Sequence, residues 1–260
     1  MEYERFADIY GVWTATAPSA QANLRYYVDA YLDAPEGAVV ELGVGDGRIA
    51  VEAARAGRAV TGVDLSPAML RLCAARAAET GVGDRITLLQ ADFRTFSLPA
   101  PAALIALPYH SLGHLVSIDD KRAALRHIYD QLQPGGRFLF DDFMVTPDAI
   151  DRMRRVQLRA EYATRDGQQV LLWVTSLVDT AAQTIRCITW EDIVAADGVL
   201  QTRTYRTLSL SWLEPDQARA LLEETGFVVE ACYGSFTRDH FDVATAGEQV
   251  WVARKPNGGR

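Results

Sequence analysis

The chain has 260 residues, 49% of them hydrophobic and 23% charged, with a formal net charge of −8 at pH 7. That is material for one well-filled core, or for a core with an elaboration. The acidic balance, with Lys121 and Lys255 as the only lysines, sets aside a nucleic-acid partner, which needs a basic surface; no apolar run approaches the ~20 residues that span a bilayer. Cys73, Cys187 and Cys232 are far apart and odd in number. Neither a disulfide framework nor a zinc site is expected, and a reducing, cytoplasmic setting is. His110, His114, His127 and His240 form no recognisable metal-ligand set. The opening Met1-Glu2-Tyr3-Glu4-Arg5 lacks the apolar stretch of a secretory signal.

Residues 1–35 read as a helical, aromatic lid carrying Tyr3, Phe6, Tyr10, Trp13, Tyr26, Tyr27 and Tyr31, with Tyr27 and Tyr31 at the i,i+4 spacing of core packing. Thr14 to Ala20 reads as a loop within it. Residues 36–145 alternate short apolar strands with helices. Strand 38–42 leads through Gly43-Val44-Gly45-Asp46-Gly47 to a helix over 46–56, closed by Gly57. Strand 59–63 ends in Asp64; Ser66 and Pro67 open the next helix, which stops at Gly81. Strand 86–89 ends before Asp92-Phe93, and strand 103–107 before Pro108-Tyr109-His110. A helix from Asp119 runs to Leu132, Pro134-Gly135-Gly136 stops it, and strand 137–141 follows. Such alternation means a parallel sheet with crossover connections, whose ligands sit at the carboxyl ends of the strands. Glu41, Asp64, Asp92, Tyr109 and His110 all fall at those ends.

Residues 146–213 change character. Alternating segments near 156–162, 170–178, 184–194 and 200–210, with Asp-Gly turns at Asp166-Gly167 and Asp197-Gly198, read as an inserted antiparallel β meander of four strands. Residues 214–256 read as a helix from Pro215 to Gly226 and two closing strands, 227–233 and 249–253, with a frayed tail behind them.

The glycine loop has the spacing Gly-x-Gly-x-Gly, two positions after Glu41, rather than the dinucleotide fingerprint Gly-x-Gly-x-x-Gly. Carboxylates in and before the loop repel phosphate and suit a cation. Asp64, 19 positions after Gly45, is placed to accept both hydroxyls of a ribose; Leu65 and Met69 are candidates to pad the base beside it. His110 is the candidate proton acceptor, as a neutral imidazole near neutral pH.

Glu41-x-Gly43-x-Gly45-x-Gly47 resembles motif I of the class I S-adenosylmethionine (SAM) dependent methyltransferases. The stretches Leu104 to Leu115 and Leu125 to Asp141 are similar to the small-molecule members, such as glycine N-methyltransferase and the sugar N-methyltransferases of antibiotic pathways. The resemblance implies a Rossmann-like seven-stranded sheet, parallel with an antiparallel last strand, and SAM as cofactor. It implies that Glu41, Gly43, Gly45, Asp64, Asp92, Phe93, Leu107 and His114 line the cofactor, and that Trp13 covers it. It implies N- or O-methylation of a small molecule, with Tyr109 and His110 on the acceptor side and the meander as its cover. Relatives often carry Asn where His110 stands. The basic residue that such lids offer to the SAM carboxylate has Asn23, or Arg25, near its place. A homo-oligomer or partner subunit is compatible with this pattern. The rival readings are SAM chemistry other than methylation (cyclase, hydrolase, decarboxylase), a non-catalytic partner subunit, and last an NAD oxidoreductase.

Overall fold

The structure is a computed structural model that describes residues 6–16, 20–164 and 167–258. Tyr3, residues 165–166 of one expected hairpin turn, and the last two residues of the expected tail lie outside them. The chain divides into two compact units, Gln21–Met144 with Trp212–Arg260, and Met1–Ala20 with Val145–Ser211.

The larger unit is built on a seven-stranded sheet in the order β10-β11-β5-β4-β1-β2-β3. Its strands are β1 (Ala38–Leu42), β2 (Val60–Asp64), β3 (Ile86–Gln90), β4 (Ala102–Leu107), β5 (Leu132–Phe143), β10 (Val228–Tyr233) and β11 (Glu248–Arg254). All run parallel except β11, which is antiparallel to both neighbours. β4 is apolar throughout, β1 is apolar except for Glu41, and both are buried almost throughout, as strands covered on both faces must be. One face packs against α5 (Ile118–Gln131) and α7 (Pro215–Thr225) through Leu125, Ile128, Leu221 and Leu222. The other packs against α2 (Ala20–Leu32) and α3 (Arg48–Arg55) through Tyr27, Tyr31, Ile49 and Ala53.

The local signals act as expected. The Ser66 hydroxyl accepts the Met69 amide at the start of α4 (Pro67–Glu79). Ser117 caps α5 through the Asp120 amide. Gly226 ends α7 in the left-handed conformation that favours glycine. One boundary differs. β5 starts at Leu132 and runs through Pro134-Gly135-Gly136, because the Gly135 amide donates to the Lys255 carbonyl and Lys255 N–H returns the bond to Gly136.

The smaller unit holds the meander, β6 (Gln157–Ala163), β7 (Gln169–Asp179), β8 (Thr184–Val194) and β9 (Leu200–Ser211), paired antiparallel in chain order. α1 (Ala7–Ala15) packs Phe6 and Ile9 against Leu172, Cys187 and Leu208 of that sheet. A helix not foreseen in the sequence, α6 (Pro147–Arg154), precedes it, capped by Thr146. The described residues of 1–35, expected as one lid, hold two helices: α1 belongs with the meander, while α2 packs into the core of the larger unit.

Candidate active site

The strand order reverses between β1 and β4, which is where parallel sheets of this kind open a crevice at their carboxyl ends. Glu41 lies there, paired with Gly62 of β2 and Ala106 of β4. Its carboxylate is buried, with one oxygen 3.1 Å from the Tyr31 hydroxyl that donates to it. Burial pushes its pKa up to about 8, against the pull of Tyr31 and Arg48.

The chain then turns through Gly43, at φ 65°, and Gly47, at φ 76°. A Cβ on Gly43 would stand 3.2 Å from the Ser111 hydroxyl, so the loop after β1 and the loop after β4 approach as only glycine allows. A Cβ on Gly47 would strike the Cys73 sulfur of α4. Asp64 ties this loop to the next helix: Oδ2 accepts the Gly45 amide at 2.9 Å and Oδ1 the Ser66 amide at 2.8 Å. Asp46 is also buried and pairs with Arg76 at 2.5 Å.

The second cluster forms after β4. Tyr109 and His110 both adopt the left-handed region, at φ 62° and 56°, a conformation costing about 1–3 kcal/mol for a non-glycine residue unless its surroundings fix it. Asp141 of β5 fixes it. Its buried carboxylate accepts the Tyr109 amide at 2.9 Å, the His110 amide at 2.9 Å and the Tyr27 hydroxyl at 2.5 Å. The His110 ring stacks on Phe143 with centroids 3.9 Å apart, and its Nε2 lies 2.8 Å from Glu248 Oε2. Glu248 reaches this place because β11 runs antiparallel. Its first residue sits beside the last residue of β5, at the carboxyl edge of the parallel strands.

Burial disfavours the charged ring, but Glu248 and Asp141 outweigh it and raise the His110 pKa to about 9. His110 is therefore an imidazolium at neutral pH, which corrects the expectation of a neutral imidazole. Its neighbour His114 goes the other way: burial and the Lys121 ammonium push it down to about 4, and it stays neutral. Lys121 is itself buried beneath this loop, donating to the Leu112 carbonyl at 2.8 Å.

Met69 and Leu107 are 1% and 0% exposed, so both side chains belong to the core and offer no surface to a ligand. Asp92 closes a turn onto the Arg94 amide, and both its oxygens face the Arg94 guanidinium, which bridges on to Asp120. Phe93 is half-buried against the core, and Leu65 is exposed. Trp13 packs in the smaller unit, under the Arg159 guanidinium and edge-on to Phe6. Arg25 is exposed on the outer side of α2. Asn23, fully buried, accepts from Arg48 at 2.5 Å, and that guanidinium also lies over the Tyr109 ring.

Asp141, Glu248, Arg48 and the two tyrosine hydroxyls are what the sequence reading missed. Asp141 carried a signal, an acidic residue at the end of an apolar strand like Glu41 and Asp64. Glu248 carried none, standing 138 residues from His110.

Residues 39–136 match the methyltransferase domain family. A putative methyltransferase of Geobacillus sp. strain WCH70 is 25% identical over 257 residues, 98% of this chain and 100% of that protein. The 27-O-demethylrifamycin SV methyltransferase of Amycolatopsis mediterranei is 26% identical over 270 residues, covering 98% and 96%. Among solved structures, the CcbJ methyltransferase from Streptomyces caelestis superposes with a TM-score of 0.79 at 23% identity, over 96% of each chain.

The cofactor of this family, SAM, presents a sulfonium, an ammonium, a carboxylate and a ribose. The residues fit it. The Gly43 approach keeps the loop bare of side chains. Glu41 and Asp64 supply carboxylates, and Asn23, beside the Arg48 cation, carries a buried Nδ2 donor with no partner among the described residues. The matched domain, the seven-stranded fold and the full-length relatives agree: residues 39–136 of the chain form a methyltransferase domain whose surroundings fit SAM.

Proposed function

We propose that this enzyme methylates oxygen or nitrogen of a small molecule of secondary metabolism, with the cofactor laid across the β1 and β4 loops and the acceptor met by Tyr109 and His110. The observation that carries this reading is the meeting of two built clusters at one switch point: the glycine loop held by Asp64, and the Tyr109-His110 turn held by Asp141. Asp64 would take the ribose hydroxyls, since each carboxylate oxygen accepts two hydrogen bonds. Arg48 and Asn23 would face the carboxylate, Glu41 the cationic end, and Leu65 and Phe93 the base. Bound SAM supplies an electrophilic methyl on a positively charged sulfur. The chain's own share is placement and exclusion of water, which is where most of the rate in such transfers arises.

A cytoplasmic setting belongs to the same reading; the three cysteines are unbridged and persist as thiols in a reducing compartment. Calorimetry with SAM, S-adenosylhomocysteine and NADH tests the cofactor assignment. Micromolar binding of the first two with none of NADH is expected, and failure to bind SAM would overturn it.

A further inference from the structure

The ring of His110 is held on every side that the larger unit provides. Phe143 stacks on it at 3.9 Å, Tyr109 stacks at 5.8 Å, and its backbone is pinned through Asp141. Nε2 faces two carboxylates, Glu248 at 2.8 Å and Asp141 at 3.4 Å. The other ring nitrogen, Nδ1, has no hydrogen-bond partner among the described residues and is not among the polar atoms closed off from solvent. The charged and titratable groups around the ring are Glu248 from β11, Asp141 and Asp142 from β5, and Tyr109 and His114 from the loop after β4. Behind them stand Tyr27 of α2, on Asp141, and Lys121 of α5, near Asp142.

We propose that Glu248 is a positioning residue that turns His110 Nδ1 toward the acceptor as its proton acceptor, and that the acceptor is a hydroxyl compound rather than an amine. This rests on the methyl-transfer reading above. An amine loses its proton to water before it reacts and then needs no base; a hydroxyl must lose its proton as the new bond forms. A ring with one nitrogen tied to a carboxylate has a single nitrogen left to work with and a raised basicity, which suits the second case. In the step, the hydroxyl oxygen bonds the methyl carbon as the carbon–sulfur bond breaks. The electron pair leaves with sulfur, and the hydroxyl proton passes to Nδ1. The imidazolium so formed is the state that Glu248 and Asp141 already favour. Because those carboxylates keep the ring protonated up to about 9, methyl transfer rises with pH toward that value.

The test joins two readouts on the full chain. Imidazole nitrogen NMR follows His110 through pH in the wild type and in Glu248→Gln. Release of S-adenosylhomocysteine is followed over the same range with catechol and with benzylamine as probe acceptors. The expected wild-type midpoint is about 9, and Glu248→Gln lowers it by about 1 pH unit or more, the usual effect of removing an opposed charge at contact. Catechol-dependent release rises through the same midpoint and moves with it. His110→Asn, a second variant, keeps SAM binding by calorimetry and loses catechol-dependent release. A midpoint that Glu248→Gln does not move overturns the proposal. So does release from benzylamine without catechol, no release from catechol at any pH, or a catechol profile that falls where His110 loses its proton. Loss of SAM binding in the wild type is a different failure, that of the cofactor assignment, and leaves the NMR midpoint standing by itself.

Discussion

Asp64 and Glu41 are both carboxylates at the ends of neighbouring strands, yet their surroundings give them different work. Asp64 receives two backbone amides that fix the glycine loop against α4. Asp64→Ala should therefore weaken SAM binding by about 1–3 kcal/mol, the scale of one or two hydrogen bonds to a charged group; unchanged affinity by calorimetry would contradict its place in the site. Glu41 is buried with a single tyrosine donor, and its pKa of about 8 means that it is protonated in the free enzyme at neutral pH. A cationic ligand beside it favours the carboxylate. Binding of SAM near pH 7 should then release part of a proton, and affinity should tighten as pH rises toward 8. Calorimetry in two buffers of different ionisation enthalpy reads that release directly, and equal heats in both would rule it out.

At the scale of elements, α2 shows how a helix can carry both packing and polar order. Asn23, Tyr27 and Tyr31 stand four residues apart on one buried face. Their polar ends meet Arg48, Asp141 and Glu41 in turn, so one helix touches the start of α3 and the strands β5 and β1. Tyr27→Phe keeps the ring and deletes one of the donors on Asp141; we expect it to lower unfolding free energy by about 1–3 kcal/mol, measured by urea denaturation. The i,i+4 tyrosines and the strand-helix alternation were legible in the sequence because both are local periodicities. So were Glu41, the glycines and Asp64, which sit within one strand-loop-helix unit. The partners of His110 were not. Whether an imidazole is neutral depends on which carboxylates surround it, and those come from β5 and from an antiparallel strand near the end of the chain. Asp92 has a partner that was not expected: a local neighbour, Arg94, shares the carboxylate that the family pattern reserved for the ligand.

Over the whole molecule, the buried titratable groups set how stability follows pH. Glu41, raised from 4.5 to about 8, and His110, raised from 6.5 to about 9, hold protons in the folded chain that the unfolded chain gives up. Their contributions are complete below 4.5 and 6.5 and are lost as pH rises through 8 and 9. Lys121, lowered from 10.5 to about 8, has the opposite sign and begins to add stability only above pH 8. Between pH 6.5 and 8 the first two, with buried Asp141 raised in the same direction, lower the unfolding free energy as pH rises, by up to ~1.4 kcal/mol per pH unit for each group, and the thermal midpoint should fall with it. Glu41→Gln should make that fall shallower; a midpoint flat across the window in the wild type would refute the assignment. Lys121 has one more consequence. Its ammonium is enclosed on the Leu112 carbonyl, and the other lysine, Lys255, spends its donors on Tyr129 and Leu132. Amine-directed dyes and cross-linkers thus find Lys121 closed off in the native protein while Lys255 is partly exposed, and acylation of Lys121 becomes a clock for the opening of the loop above it.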